Sequence, residues 1–278
     1  MRRHSIAAAI AALCLSPAAW AGFSIFESVG ANPAQIEPAR DGFRVAVGGG
    51  SIGGANGSFL TQRREINWDG VPDAFADTNF LPANFFNVTS PRGVVFSTPG
   101  TGFKVSANSG SATPGLFGFS SDFQVFSAQR LFTAVNSNIT DVSFFIPGTT
   151  IVASTSAFGV VFTDVEVAGL TKIEFFDASN ALIFTRNALV GANQGLSFVG
   201  AVADAGETIG RVRITAGLNT IVSNGVLGNA SDDVVAMDDF LYATPRALAP
   251  VPEPESYALL LAGLVTIGEV LRRRQRAC

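Results

Sequence analysis

The stretch Phe158-Gly159-Val160-Val161-Phe162 decides the fold class, because it is apolar on both faces of an extended chain. A short run of this kind is typical of an interior strand of a β-sandwich. Residues 94–96, 142–146 and 173–176 have the same character. Together these runs predict the central strands of two packed sheets.

Other runs alternate between apolar and polar residues, which predicts strands with one face in water. They are Phe43-Arg44-Val45-Ala46-Val47, Phe103-Lys104-Val105 and Arg211-Val212-Arg213-Ile214-Thr215. Further candidate strands are residues 117–126, 131–135, 181–185, 196–202 and 234–242. No helical periodicity is sustained away from the two ends of the chain, so a parallel β-α-β architecture is disfavoured. We expect an all-β body, an antiparallel two-sheet sandwich with the topology of a jelly roll.

The aromatic residues agree with this expectation. The chain has 24 Phe but only two Tyr and two Trp, so most of its aromatic bulk is hydrocarbon suited to a core between sheets. A ligand surface lined by Phe is the alternative interpretation.

The first 21 residues have the pattern of a secretory signal peptide. Arg2 and Arg3 form a basic start, residues 6–15 an apolar centre, and Ala19-Trp20-Ala21 a small-x-small cleavage site. We expect an N-terminal signal helix that is removed after Ala21 during general secretion.

The C-terminus has three parts in order, namely Val251-Pro252-Glu253-Pro254, an apolar run at 257–267 and a basic end at 272–276. Pro254 fixes its own backbone angle and lacks an amide donor, which predicts an extended, exposed peptide. A helix over residues 257–271 would be about 22 Å long, short of the roughly 30 Å hydrocarbon core of a bilayer. We expect a short transmembrane helix with its arginines on the cytoplasmic side.

This tail resembles the PEP-CTERM sorting signal of Gram-negative bacteria. The resemblance implies that the secretion machinery and an exosortase, a membrane-embedded cysteine protease, are partners of the chain. It also implies a transient anchor in the inner membrane, followed by release to the cell surface or the extracellular space. The expected organisation is a signal peptide (1–21), a β-sandwich domain (22–245), a Pro-rich linker (246–256) and a hydrophobic helix with a basic tail (257–278).

The body between the two targeting segments lacks the residues of several catalytic chemistries. The only histidine is His4 and the only cysteines are Cys14 and Cys278, all in the targeting segments. A Ser-His-Asp triad, a cysteine nucleophile and an intramolecular disulfide are therefore excluded from the body. Zinc and copper sites are disfavoured for the same reason.

The body is acidic, with 12 Lys and Arg against 19 Asp and Glu between residues 22 and 250, a difference of −7. Nucleic acids are poor partners for such a surface, because their binding depends on basic footprints. The glycine-rich residues 48–54 lack the Lys-Ser/Thr ending of a phosphate loop and predict a turning loop.

One acidic cluster, Asp69, Asp73 and Asp77, lies in a turn-rich stretch with asparagines at both sides. Its oxygen atoms are ligands that calcium accepts in flexible geometry. The alternative is a solvated loop in which Asp and Asn side chains cap turns.

A second acidic pair, Asp238 and Asp239, lies within the candidate strand 234–242. Adjacent residues of a strand face opposite sides, so one carboxyl group should point inward, where an arginine, backbone amides or calcium must satisfy it. The strand also resembles the last strand of secreted jelly-roll domains, including carbohydrate-binding modules. That resemblance implies a structural calcium ion or a buried polar clasp.

Trp68 is the only tryptophan of the body once Trp20 is removed with the signal peptide. It could stack on a sugar ring or pack in the core. From these features we expect an exported, non-enzymatic protein of the envelope or biofilm matrix that associates with exopolysaccharide. A carboxylate-dependent carbohydrate-active enzyme and a self-assembling structural protein are the two alternatives.

Overall fold

The computed structural model describes residues 22–108, 110, 112–221 and 233–248, together with the single helical positions 260, 263, 264, 267 and 272. The chain divides into two compact units, Met1–Arg246 and Ala247–Cys278. The expected signal peptide with Ala19 and Ala21, and the stretch from Val251 to Pro254, lie outside the described residues. No helix among the residues that the structure describes is long and apolar enough to cross a membrane.

Strands make up most of the regular structure in the described part of the chain. In chain order these are β1 (Phe23–Gly30), β2 (Ser58–Phe59), β3 (Arg63–Ile66), β4 (Val94–Ser97), β5 (Gly102–Val105), β6 (Phe132–Val135), β7 (Ile139–Phe144), β8 (Ala153–Ser154), β9 (Ala157–Thr163), β10 (Lys172–Phe176), β11 (Leu182–Asn187), β12 (Leu196–Ala203), β13 (Arg211–Thr215), β14 (Ala236–Ala243) and β15 (Arg246–Ala247). The helices are α1 (Pro33–Val47) and α2 (Phe85–Val88), with 3-10 turns at Ala55–Gly57, Asp73–Phe75 and Leu116–Gly118.

Most of the strands form two antiparallel sheets. The first sheet has the order β1-β12-β9-β14-β3-β2, and β6 also pairs with β14 and carries β5 at its other side. The second sheet has the order β11-β10-β13-β7-β4. The prediction of an all-β body with antiparallel sheets in a sandwich-like arrangement is therefore confirmed.

The main core lies between the two sheets and is largely aromatic. Phe158 of β9 lies 6.4 Å from Phe175 of β10 and 6.5 Å from Phe144 of β7, measured between ring centroids. All three rings are buried, together with Val142 and Phe240. Core packing is thus the role that the structure gives to these phenylalanines.

Helix α1 covers the outer face of the first sheet. Its buried residues Ile36 and Phe43 pack with Val161 of β9 and Leu241 of β14 in a second apolar cluster. As a result, all seven residues of β9 and all eight of β14 are buried. This double coverage explains the apolar character of both faces of the stretch 158–162.

A pair of glycines makes room for the helix. Gly159 and Gly200 lie opposite each other on β9 and β12. A Cβ atom at Gly200 would approach Cδ2 of Phe43 to 2.9 Å, closer than real Cβ contacts. The Phe43 ring therefore sits over bare backbone, edge-to-face with Phe198 at 5.9 Å.

Helix α1 corrects one sequence prediction, because residues 43–47 form its last turn and not a strand. The helix starts at Pro33, which suits a first turn because it needs no amide donor there. Ile36 and Phe43 are seven residues apart, so they face the same side after about two turns. Only these two residues are buried, and Pro38 lies inside the helix, so the helical period was hidden in the sequence.

The prediction of a strand at residues 117–126 was also wrong. This segment contains part of a 3-10 turn and irregular loops. Phe117 adopts a φ of 58°, which a strand excludes. The loops nevertheless bury Phe117, Phe123 and Phe126, so the aromatic pattern reflected burial without extended structure.

The position of α1 predicts effects of very different size for two apolar side chains that are two residues apart. Phe43→Ala should lower the free energy of unfolding by about 3–5 kcal/mol, because it empties a fully buried ring site. Val45→Ala should change it by less than about 0.5 kcal/mol, because Val45 is 82% exposed. Chemical denaturation of the full-length chain in mild detergent measures both. Equal losses would contradict the helix, since a strand would put both residues on one face.

Candidate functional site

Asp238 and Asp239 lie where β14 exchanges one neighbouring strand for another. Met237 pairs with Phe132 of β6, whereas Phe240 pairs with Ile66 of β3. The register against β9 also shifts between Met237 and Phe240. The acidic pair therefore occupies a bulge, a local irregularity that re-aims side chains.

The two carboxyl groups bind the segment that follows residue 125. Oδ2 of Asp238 accepts the backbone N–H groups of Phe126 at 2.6 Å and Ser127 at 3.2 Å. The Ser127 hydroxyl lies 3.0 Å from Oδ1 of Asp238 and 2.8 Å from Oδ1 of Asp239. A hydroxyl donates only one proton, so a proton retained on the acidic pair completes the second of these contacts.

Burial is the main reason why this pair holds a proton. It raises the pKa of Asp238 well above its usual value, and the charge of Asp239 raises it further. Burial also raises the pKa of Asp239 to about 6, against the lowering effect of the Ser127 hydrogen bond. Adjacent buried carboxylates disfavour simultaneous ionisation.

Two of the aspartates from the first acidic cluster act on the same segment. Oδ1 of Asp69 accepts the backbone N–H groups of Gln129 at 2.5 Å and Arg130 at 3.1 Å. Asp73 forms an ion pair with the Arg130 guanidinium. Residues 126–130 are therefore held both by Asp238 and Asp239 and by Asp69 and Asp73, and we call this arrangement the aspartate clasp.

Asp77 is separate from the clasp, because its Oδ1 lies 2.5 Å from Nζ of Lys104. Among the described residues, no group of three or more His, Cys, Asp and Glu side chains could hold a metal ion. A calcium ion at the predicted aspartates would have to compete with these amide and cationic partners. Calcium binding stays a prediction.

Trp68 lies in the core and contacts the backbone of the clasp residue Asp238. It is 1% exposed, and its ring is stacked on Phe132 with 4.0 Å between centroids. Its Nε1–H donates to the backbone oxygen of Asp238 at 2.7 Å. The structure therefore gives Trp68 the packing role and leaves its ring closed to a sugar.

Asp239 also borders an open polar cavity of about 470 Å³. This cavity lies between α1, the β2–β3 hairpin and the clasp. Its walls combine cations, carboxylates and the accessible ring of Phe59. Among the residues that line it are Glu37, Arg40, Arg44, Phe59, Glu65, Asn67, Arg92, Ser127 and Asp239.

A second cavity of about 600 Å³ shares Arg44 and Phe59 with the first. It lies at the C-terminal end of α1 and is lined by Asp41, Val45, Gly48, Gly50, Ser51 and Arg63 as well. We refer to the two cavities together as the groove.

An ion-pair network fixes the floor of the groove. Glu65 accepts hydrogen bonds from Arg44 at 2.8 and 2.6 Å and from Nε of Arg63 at 2.6 Å. Fully buried Arg63 also donates to the backbone oxygen of Gly50 at 2.8 Å. Its guanidinium lies 4.3 Å from the centroid of the Phe59 ring, within the range of a cation–π contact. The ring is thus held in place by a buried cation.

Sequence reasoning identified the acidic side of this site but not the groove. Phe59, Arg63 and Glu65 carry no recognisable motif, and Phe59 belongs to a strand of only two residues. The one available signal was the charged run Arg63-Arg64-Glu65 in a chain with only 14% charged residues.

The comparisons with known proteins concern the C-terminal tail. The family model of the PEP-CTERM protein-sorting motif matches residues 250–276. No curated protein and no solved structure gives a significant match to the chain. The chain thus carries the PEP-CTERM sorting motif of an exosortase substrate, which implies export, a C-terminal membrane anchor before cleavage, and a final place at the cell surface or outside the cell. The match leaves the activity of the β-rich body open.

The clasp predicts a definite pH dependence of stability. Because the folded-state pKa of Asp239 is raised from 3.8 to about 6, its protonated form stabilises the fold at low pH. This contribution is lost as the pH rises from about 4 to about 6 and beyond. Relative to Asp239→Asn, the free energy of unfolding of the unmodified chain should fall by up to about 3 kcal/mol between pH 4 and pH 7.

Urea denaturation across this pH range measures the difference between the two proteins. Asp204→Asn, which removes an exposed carboxyl group, serves as the control for charge removal itself. A difference between Asp239→Asn and the unmodified chain that is constant with pH, or that grows in the opposite direction, would contradict the clasp.

Proposed function

We propose that the exported body is a non-enzymatic binding domain that associates with polysaccharide of the extracellular matrix through the groove. The observation that carries this proposal is the Phe59 ring, which lines both cavities and is backed by the Arg63 guanidinium. Binding sites for small polar ligands combine apolar or aromatic walls with a few well-placed polar groups.

A sugar ring matches this mixture of surfaces. One face of a pyranose is lined by C–H groups, which suit the face of an aromatic ring, and its edge carries hydroxyl groups. Around Phe59, the groove offers guanidinium donors on Arg40 and Arg44 and acceptors on Glu37 and Asp41. Volumes of about 600 and 470 Å³ are each large enough for sugar units.

We also propose that the body has the topology of a jelly roll. In the first sheet β6, β14, β9 and β12 are neighbours, and in the second β7, β13, β10 and β11 are neighbours. Apart from the two-residue β8, the chain changes sheets at every step from β6 to β14 except the hairpin β10–β11. Eight strands in two four-stranded layers with this order support two Greek keys.

A carboxylate-dependent carbohydrate-active enzyme is the second candidate. The specific observation in its favour is that Asp239 borders the polar cavity with Glu65, whose charge contributes to the raised pKa of about 6. A pair of carboxyl groups supplies the usual acid and base of glycoside hydrolysis. Against this role, Asp239 is only 5% exposed and is held by Ser127.

Removal of the accessible ring tests the binding proposal. Phe59→Ala should weaken binding of the full-length chain to the extracellular polysaccharide of the producing cells by about tenfold or more. Phe80→Ala is the matched control, because Phe80 is 45% exposed but does not line the groove. Affinity electrophoresis measures both, and thermal melting checks that each variant is folded. Unchanged affinity in folded Phe59→Ala would overturn the proposal.

A turnover assay separates the binding proposal from its enzymatic alternative. We expect the purified chain to release no new reducing ends from the same polysaccharide. Release that is abolished by Asp239→Asn would select the enzyme. Concentration-dependent oligomers in light scattering, together with no glycan binding, would select self-assembly instead.

A further inference from the structure

Arg92 differs from the other arginines that border the groove. Arg40, Arg44 and Arg63 each form an ion pair with an aspartate or glutamate. Arg92 forms none with the carboxylates of the described part of the chain, and its Nε is buried without a hydrogen-bond partner. Burial lowers the pKa of Arg92. A guanidinium nevertheless stays charged at neutral pH, so this half-buried charge is uncompensated.

A second arginine increases the local positive charge. Among the described residues, Nε of Arg64 is likewise buried without a hydrogen-bond partner, and the guanidinium donates to the backbone oxygen of Asn56 at 3.4 Å. The charge of Arg64 further lowers the pKa of Arg92. Neighbouring like charges that are partly removed from water are unfavourable unless an anion joins them.

The surroundings of Arg92 hold its side chain at the groove. Its guanidinium carbon lies 4.9 Å from the ring centroid of Phe86. Its backbone is fixed by a hydrogen bond to Phe86 at 2.8 Å and by the hydroxyl of Tyr242, which donates to the Arg92 oxygen at 3.0 Å. Bare backbone at Gly57 makes space for Nε, since a Cβ there would lie 3.1 Å from it.

Arg92 borders two cavities. It lines the polar cavity of about 470 Å³ beside Phe59, and it lines a smaller cavity of about 220 Å³ that also contains Thr89 and Ser90. A ligand in the groove therefore meets the side chain of Arg92, a planar cation that forms no ion pair within the described part of the chain.

We propose that Arg92, assisted by Arg64, binds the carboxylate of a uronic acid unit in an acidic polysaccharide. This inference rests on the proposed function, because it names the ligand class for the same groove. The guanidinium fork matches a carboxylate with two parallel hydrogen bonds, and such charge-assisted pairs are the strong ones. The carboxylate compensates the charge that the fold leaves unpaired.

The distribution of charge along the body is consistent with an anionic ligand at the groove. The body has a net charge of −7, which repels an acidic polymer over most of its surface. Five of its 12 basic residues lie in or beside the groove, namely Arg40, Arg44, Arg63, Arg64 and Arg92. Arg40, Arg44 and Arg63 are paired with carboxylates of the groove, so the positive charge that an acidic chain meets unpaired there is that of Arg64 and Arg92.

Titration calorimetry of the full-length chain with polygalacturonate and alginate, each beside its carboxyl-reduced neutral form, tests this inference. The unmodified chain should bind at least one polyuronate about tenfold or more tightly than its reduced form. Arg92→Gln should lose this preference, and Arg92→Lys should lose most of it, because lysine keeps the charge without the fork. Arg246→Gln, which removes an exposed arginine outside the groove, should keep it.

The outcomes separate the inference from the proposed function. Equal affinity for acidic and neutral polymers, or a preference that survives in Arg92→Gln, would overturn the uronate site; if binding still depended on Phe59, the proposed function would stand. If the chain bound neither these polymers nor the matrix polysaccharide, both the uronate site and the proposed function would be overturned. If free galacturonate or acetate, at the same concentration as the polymer units, displaced the polyuronate, the site would be a simple anion site. This result would contradict recognition of the polymer. The melting temperature of Arg92→Gln should stay unchanged or rise, because an uncompensated charge is removed.

Discussion

The burial of two adjacent carboxyl groups in β14 is the constraint on which the rest of the molecule depends. Asp238 and Asp239 lie in β14, the strand that pairs with β9 along one edge and with β6 and β3 along the other. Carboxyl groups at such a position are costly unless they are hydrogen-bonded. They are satisfied by the backbone and hydroxyl of a loop distant in sequence, which ties residues 126–130 to the sheet. The clasp thus converts a destabilising pair into a specific tertiary link.

The clasp also connects the core with the groove. Trp68 donates to the backbone of Asp238 from the core side, while Asp239 borders the polar cavity on the other side. Glu65, two residues after Arg63 on β3, joins this wall to helix α1 through Arg44. Because these partners belong to a strand, a helix and a clasped loop, the groove is held on rigid elements, which favours a preformed binding surface.

The sequence was informative where a pattern was local. The apolar stretch 158–162 predicted a central strand, and the tail predicted the sorting motif, because neither depends on residues elsewhere in the chain. Helix α1 was not predicted, because only Ile36 and Phe43 form its buried face. The space that the Phe43 ring occupies is created by Gly200, which is distant in sequence. For the site, the cost of burying a carboxyl group was enough to predict that Asp238 or Asp239 needs a partner. Their partner Ser127 is more than 100 residues away in the sequence, and no local pattern identifies it. Phe59 and Arg92 were not predicted as site residues, because the residues that surround them in the groove are also distant in sequence.

We propose that the groove is the surface through which the exported protein contacts the matrix. It is distinguished by a half-buried aromatic ring on a buried cation and by Arg92, which forms no ion pair within the described part of the chain. The most direct test is an experimental structure of the full-length chain with a uronate-containing oligosaccharide that binds it in solution. We expect a sugar ring against Phe59 and its carboxylate at Arg92. An oligosaccharide bound at any other surface, with the groove empty, would contradict it.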